Sequence, residues 1–356
     1  MRKPDTPSPR VAADRLAAFC TEALSAIGVE AASAEAASRA MMHGSVHGVD
    51  SHGVRLLGHY ARAFEGGRLN RAPVLQTTRV RAATALLEAD HAHGARATYA
   101  ATDLACDMAH ETGIAAVGIR NSSHFGPAGA YTMHAAQKGM VAMSFCNSDS
   151  IVRLHDGAER FHGTNPISLA VPTGGENPWL LDMATSAIPF NRVLLYRSLG
   201  VELPGGVASD PDGTDTTDPH RAEMLAPAGH EFGFKGAGLA GISEIFSAVM
   251  TGMRLSPDIL PMVGQDMQTP RELGAFVIVM DPDGFVGAEI VKAGMARYME
   301  LLRGSRTQPG RTVMAPGDRE WAEAARRRRD GIPIDPVTEA EFRRLAERAG
   351  VAAPFD

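Results

Sequence analysis

"HEFGFKGAGLAG", residues 230–241, holds Gly236, Gly238 and Gly241 in the order G-x-G-x-x-G, the spacing of a dinucleotide-binding turn. A Rossmann turn needs a hydrophobic strand running straight into the first glycine, so that a pyrophosphate meets the N-terminus of the next helix. Here the leader "APAGHEFGFK" (226–235) is broken by Pro227, Gly229 and Gly233 and makes no central strand. "LAGISEIFSAVMTG" (239–252) reads as a helix, but "MRLSPDILPMVGQDMQTP" (253–270) is loop-like, so no second strand directly follows. The spacing therefore does not make a Rossmann site. Lys235 still stands just before a glycine-rich helix start, where free N–H groups favour an anion. A tight loop-to-helix junction with a solvated lysine fits the same residues.

Working outward, the first 65 residues read as helices. Leu16, Phe19, Ala23 and Ile27 recur at three- and four-residue steps, "AASAEAASRAMMHG" is rich in helix formers, and Leu56, Leu57, Tyr60 and Phe64 form one stripe. Gly66 and Gly67 end that last helix. The middle changes character: "IAAVGI" (114–119), "MVAMSFCN" (140–147), "PISLAVP" (166–172), "WLLDM" (179–183) and "AFVIVM" (275–280) read as buried strands. Helices intervene at about 95–110, 127–138 and 238–252, while 199–231, rich in Gly, Pro and Asp, reads as a long surface loop. "GAEIVKAGMARYMELLRG" is an amphipathic helix, and Thr338 with Glu341 offers a capping box for a last one. The expected fold class is α/β or α+β. A mixed-sheet domain spans 76–299, and a mainly helical domain is built discontinuously from 1–75 and 300–356.

Composition narrows the function. The chain has 356 residues, 44% of them hydrophobic and 21% charged, which describes a globular protein with a sizeable core. A formal charge of −6 argues against a nucleic-acid partner, and no apolar run approaches the ~20 residues that cross a bilayer. "MRKPDTPSPR" is not followed by the apolar segment of a secretory signal. Cys20, Cys106 and Cys146 form no C-x-x-C, so a reducing cytoplasm is expected. Of 35 basic residues only Lys3, Lys138, Lys235 and Lys292 are lysines, which singles out each internal one.

Eight of the 13 histidines lie between residues 43 and 124. His43 and His47 share a helix face, with His52 and Asp50 close behind, a spacing open to a metal. No H-E-x-x-H occurs, and Gly44 and Gly48 weaken the helix meant to present the pair, so no metal site is expected. "RNSSHFGPAGA" (120–130) puts His124 at a strand's C-terminal end before a helix that opens near Pro127. A histidine there suits proton transfer at neutral pH, or simply caps the turn. "FCNSDS" (145–150) and "LLDMATS" (180–186) also end strands in small polar groups, including Asp182, Thr185 and Ser186, and three such ends point to one cleft. There is no nucleophile elbow and no P-loop.

Taken together, "DSHGVRLLGHYARAFEGGRLN", "GIAAVGIRNSSHFGPAGAYT", "GTNPISLAVP", "LLDMATSAIPFNRV", "FKGAGLAG" and "APGDRE" resemble the malate/L-lactate dehydrogenase family. These NAD(P)-dependent oxidoreductases include ureidoglycolate dehydrogenase, sulfolactate dehydrogenase and piperideine/pyrroline-2-carboxylate reductase, and are unrelated to the Rossmann-type lactate and malate dehydrogenases. The matches run in family order from about residue 49 to 320. The resemblance implies a non-Rossmann cofactor domain and a homodimer with its site in a cleft near the subunit interface. It implies His124 as the acid/base, with Ser51 and His52 lining the substrate pocket. Ser148, Asp182, Met183, Ala184 and Lys235 match cofactor-contacting positions, and Gly317, Asp318 and Arg319 a late cofactor-binding turn. One position departs: many members carry an arginine five residues after the serine of "SHG", where this chain has Leu56, with Arg55 one step of about 100° away.

The implied reaction is hydride transfer between NADH or NADPH and C2 of a small 2-oxo or 2-hydroxy acid. The alternative within the family is reduction of a cyclic imine. A histidine-based metallohydrolase and a relative that only binds cofactor are readings of other classes. "RRRR" (326–329) does not choose NADP, since a charge run late in a helix also reads as a solvated face.

Overall fold

A computed structural model describes residues 9–355. Lys3 and most of the N-terminal stretch read for a signal lie outside the described residues.

Helices α1 (Ala13–Ala26), α2 (Ala31–Val46) and α3 (Leu57–Gly66) form where the apolar stripes predict them. Leu16, Phe19, Ala23, Leu57, Tyr60 and Phe64 are buried in one core, and Gly67, at φ 91°, closes α3 in the left-handed conformation that glycine tolerates. The last helix, α10 (Pro336–Ala349), returns to this core through Phe342 and Leu345, with Phe19 and Phe342 rings 5.1 Å apart. A short antiparallel pair, Arg10–Val11 with Ile332–Pro333, ties the two ends of the chain together.

The middle of the chain makes a seven-stranded sheet. Its strands are β1 (Gln76–Arg81), β2 (Thr84–Glu88), β3 (Ile114–Ser122), β4 (Val141–Cys146), β5 (Ile167–Val171), β6 (Trp179–Met183) and β7 (Leu273–Met280), in spatial order β1-β2-β3-β7-β4-β5-β6. Within this sheet β2 and β3 run parallel and every other neighbouring pair is antiparallel. β7 is the last strand in sequence and the middle one in space. Its side chains alternate as a two-sided strand requires. Ala275, Val277 and Val279 join the core under α4 (Gly94–Thr112) and α5 (Gly129–Gln137). Phe276 meets Phe145 and Ile167 on the other face, beneath Phe246, whose ring centroid lies 5.0 Å from Phe276 and 4.8 Å from Phe145.

Phe246 belongs to a π-helical turn, Ile245–Val249, that continues α7 (Gly233–Glu244). The three glycines of the opening stretch lie inside α7, entered from a single 3-10 turn, His230–Phe232, and not from a strand.

Three sequence expectations change. Segment 199–231 is not simply a surface loop: Ala208–Ser209 and Met224–Leu225 join Val152–Arg153 and Arg160–His162 in a second, four-stranded sheet. Leu203, Ala208, Ala222 and Leu225 pack there with Val152 and with Val193 of α6 (Phe190–Leu199). The helix expected from 238 begins five residues earlier. The cap of α10 is Asp335, whose Oδ1 accepts the N–H groups of Val337 and Thr338 at 3.1 Å, so Thr338 sits inside the first turn. Helix α8 (Ala288–Arg303) is amphipathic as expected, yet only Met299 is buried while Ile290, Tyr298 and Leu301 stay exposed. Among the described residues no helix is long and apolar enough to cross a membrane.

Candidate active site

β3 ends at Ser122, and the next residues turn toward the helical region before α5 begins. His124 stands in that turn. Tyr60, projecting from α3, brings its hydroxyl 2.7 Å from His124 Nδ1. Tyr60 is 2% exposed, and burial raises its hydroxyl well above the ordinary range, so it stays protonated. Between α2 and α3 the chain makes a 3-10 turn, Asp50–His52, that delivers the other two predicted residues. The His52 ring stacks on His124 at 5.7 Å between centroids, and Ser51 Oγ lies 2.9 Å from His52 Nδ1. His93 packs edge-on to Tyr60 at 4.2 Å. Ser51, His52 and His124 thus form one cluster where the helices meet the sheet.

The cluster holds its imidazoles neutral. Burial drives the His124 pKa well below the usual histidine value, and nearby His52 and Arg271 add to the shift. Burial lowers His52 as well and pushes His93 down to about 3. His59 falls to about 4, from burial first and then Arg62 and Arg271. A neutral imidazole keeps the free lone pair that a base for hydroxyl oxidation needs.

The residues matched to cofactor contacts lie mainly around β6. Asp182 Oδ2 accepts the N–H of Gly129, the first residue of α5, at 2.8 Å. A Cβ at Gly129 would lie 2.7 Å from that oxygen, so the close approach needs glycine. Lost solvent raises the Asp182 pKa to about 6 despite this bond. Met183 ends β6, opposite Ile167, and Ala184 follows. The late turn joins the same edge, because Leu180 N donates to Pro316 O at 3.3 Å, beside Gly317. Asp318 starts α9 (Asp318–Asp330) and is ion-paired with Arg303, while Arg319 is exposed. Asp318, Arg303, Trp321, Lys292 and Gly174 line a wide groove of about 1100 Å³. Ser148 follows β4, with its Oγ accepting Thr164 N at 3.3 Å.

Lys235 is not drawn into the histidine cluster. It is exposed in the first turn of α7, over the rings of Phe232 and Phe234 at 5.3 and 6.0 Å. Arg55 is exposed, and Leu56 packs against the helical core. The His43 and His47 rings lie 4.4 Å apart, with His47 Nδ1 2.8 Å from the His43 carbonyl. Asp50 receives Arg327. Among the described residues no group of three His, Cys, Asp or Glu side chains is placed to hold a metal ion.

Two further residues of these surroundings carry no sequence motif that singles them out. Tyr60 reads from sequence as part of an apolar stripe, and the one available signal is that a buried tyrosine usually finds a partner for its hydroxyl. Arg271, 2% exposed and paired with Asp149, carried no motif at all.

A family model described as malate/L-lactate dehydrogenase matches residues 11–343. The chain belongs to the malate/L-lactate dehydrogenase family. A malate dehydrogenase of Pyrococcus horikoshii is 33% identical over 350 residues, 96% of each chain. The structure of malate dehydrogenase from P. horikoshii OT3 superposes with a TM-score of 0.89, covering 99% of both chains. Ureidoglycolate dehydrogenase (NAD(+)) of Escherichia coli K12 is 30% identical, over 86% of this chain and 87% of its own. (2R)-3-sulfolactate dehydrogenase (NADP(+)) of Chromohalobacter salexigens is 31% identical, over 91% and 94%. The structure of a Δ1-piperideine-2-carboxylate reductase from Pseudomonas syringae superposes with a TM-score of 0.82 at 27% identity, covering 96% and 99%. This family member is an oxidoreductase that uses NAD or NADP.

Proposed function

We propose that the enzyme interconverts a small 2-oxo acid and the corresponding 2-hydroxy acid, with His124 moving the proton. The observation that carries this reading is the His124 ring, held by Tyr60 on one nitrogen and stacked on His52, with Ser51 behind it. With Nδ1–H donated to the Tyr60 oxygen, the neutral ring carries its lone pair on Nε2, the atom that takes the hydroxyl proton, or returns it to the alkoxide in reduction. Ser51 and His52 orient the oxygen and carboxylate of the substrate. Burial keeps the His124 ring unprotonated, and the negative charge of an arriving carboxylate raises its proton affinity toward the protonated form that reduction uses.

The residues around β6 fit a nicotinamide cofactor. Asp182 and Met183 end a strand beside the α5 N-terminus with Ala184 following, and Pro316, just before the Gly317–Arg319 turn, is bonded to the same strand. Ser148 offers a hydroxyl, and Lys235, exposed at a helix start, offers a cation for a phosphate. When bound, the cofactor supplies or accepts the hydride. The nearly all-antiparallel sheet supports a non-Rossmann cofactor domain over 76–299, and the shared core of α1, α3 and α10 supports a helical domain from 1–75 and 300–356. Exposed Leu239, Ile242, Ile245 and Val249 support a homodimer, and three buried free cysteines support a reducing cytoplasm.

The test is oxidation of NADH and NADPH, separately, against a panel of 2-oxo acids and cyclic imines. Turnover of a 2-oxo acid is expected, with His124→Gln lowering kcat by ~10²–10⁴ while cofactor binding persists. Full activity in His124→Gln removes the proton-transfer role, and turnover of imines alone moves the substrate to the branch of the Pseudomonas neighbour.

A further inference from the structure

The turn carrying Ser51 and His52 offers no cation to a substrate carboxylate, because Arg55 is exposed and Leu56 packs into the helical core. Another cation reaches the cluster from the far side of the sequence. Leu273, the first residue of β7, pairs with Ser122, two residues before His124. Ala275 pairs with Cys146, two residues before Ser148 and three before Asp149. β7 lies between β3 and β4, so the residue two positions upstream of Leu273 enters between His124 and Asp149. That residue is Arg271.

The contacts agree with this register. Arg271 Nη2 is ion-paired with Asp149, and its Nε donates to the Leu260 carbonyl at 2.8 Å. These two bonds fix the plane of the guanidinium and employ two of its five N–H donors. Nη1 donates to no group among the described residues, and it is not one of the buried polar atoms left without a partner, so it keeps access to solvent although the side chain is 2% exposed. The charge is felt by His124, Tyr60 and His59, whose pKa values it lowers. A buried cation with a fixed plane and open donors, beside a proton-transfer group, fits a carboxylate.

We propose that Arg271, oriented by Asp149 and the Leu260 carbonyl, binds the substrate carboxylate through Nη1 and sets the preference for acids over neutral carbonyl compounds. This rests on the 2-oxo acid reading above. A carboxylate on Nη1 leaves C2 and its oxygen toward His124, Ser51 and His52, so Arg271 sets the register of the substrate. The arrangement differs from an arginine presented by the "SHG" turn, since this guanidinium is anchored at two points before any ligand arrives.

The experiment compares wild type, Arg271→Gln and Arg271→Lys on the best 2-oxo acid of the panel and on its neutral 2-oxo amide, with oxamate binding measured by calorimetry in the presence of NADH. Arg271→Gln is expected to lower kcat/KM for the acid by ~10–100-fold, mostly through KM, with the amide changed less than about threefold. Oxamate affinity should fall by the same ~10–100. A purely structural arginine lowers acid and amide together, and that result overturns the proposal. Where Arg271→Gln does not fold, Arg271→Lys keeps the charge without the fork, and a native melt with acid preference cut about tenfold sustains the proposal. An unchanged preference in that variant overturns it. If wild type turns over no 2-oxo acid, the reaction reading fails separately. Arg271-dependent oxamate binding then still sustains the carboxylate site, and oxamate binding that is absent or indifferent to Arg271 ends it.

Discussion

Asp182 receives a backbone N–H at the start of α5, which favours its charged form, and still has its pKa pushed up to about 6 by lost solvent, with Glu320 adding. Its folded pKa lies above the ordinary carboxyl value, so the native state holds a proton that the unfolded chain releases. The associated stability is complete below about pH 4 and is lost as pH rises through about 6. Asp182→Asn retains an oxygen for Gly129 N without the charge. Urea unfolding from pH 4 to 7.5 should show wild type losing ~1–3 kcal/mol relative to the variant, and parallel curves would refute the buried-charge account. At this scale the sequence was partly legible. His124, Ser51 and His52 announce themselves by residue type at a strand end and a tight turn. Tyr60 and Arg271 do not, because their roles depend on which neighbour burial gives them.

Helix α10 shows how a cap is misjudged from spacing. Thr338 and Glu341 have the box separation, but Asp335 followed by Pro336 is the stronger start, since proline suits the first helical position and aspartate reaches two free N–H groups. Thr338 then donates its hydroxyl back to Asp335 at 2.6 Å, and Glu341 turns to Arg62 and Arg344. Asp335→Ala should cost ~1 kcal/mol and Glu341→Gln less than that, read as shifts in the urea midpoint. A larger loss from Glu341→Gln would restore the box. Four of the five apolar strands were legible because most of their length is buried, and β6, with only Leu180 fully buried, was legible from its apolar run. β1, "QTTRVR", is exposed along its whole length and carries no apolar alternation, so nothing marked it. The two strands that 199–231 adds to the small sheet were hidden because each is two residues long, with Pro and Gly between them.

For the whole molecule, Leu239, Ile242, Ile245 and Val249 stand exposed in one row at helical spacing, the kind of apolar surface that marks an interface. Light scattering on purified enzyme should return twice 37.7 kDa, and Ile245→Glu should return 37.7 kDa. A monomeric wild type would end the dimer reading. The order of strands escapes any local reading of the chain: no pattern within 273–280 says that this segment sits between β3 and β4, because that choice is made by partners about 130 and 150 residues upstream.

That order also bears on how the chain is made. When β4 has left the ribosome, β3 and β4 each lack the neighbour that will finally lie between them, and β7 is still about 130 residues from synthesis. At 5–20 residues per second that is roughly 6–25 s during which two hydrophobic strand edges stand open or pair with each other in a register that must later be undone. The proposed active-site cleft, walled by the ends of those same strands, is therefore among the last parts of the nascent enzyme to exist, and it closes only when its middle strand arrives.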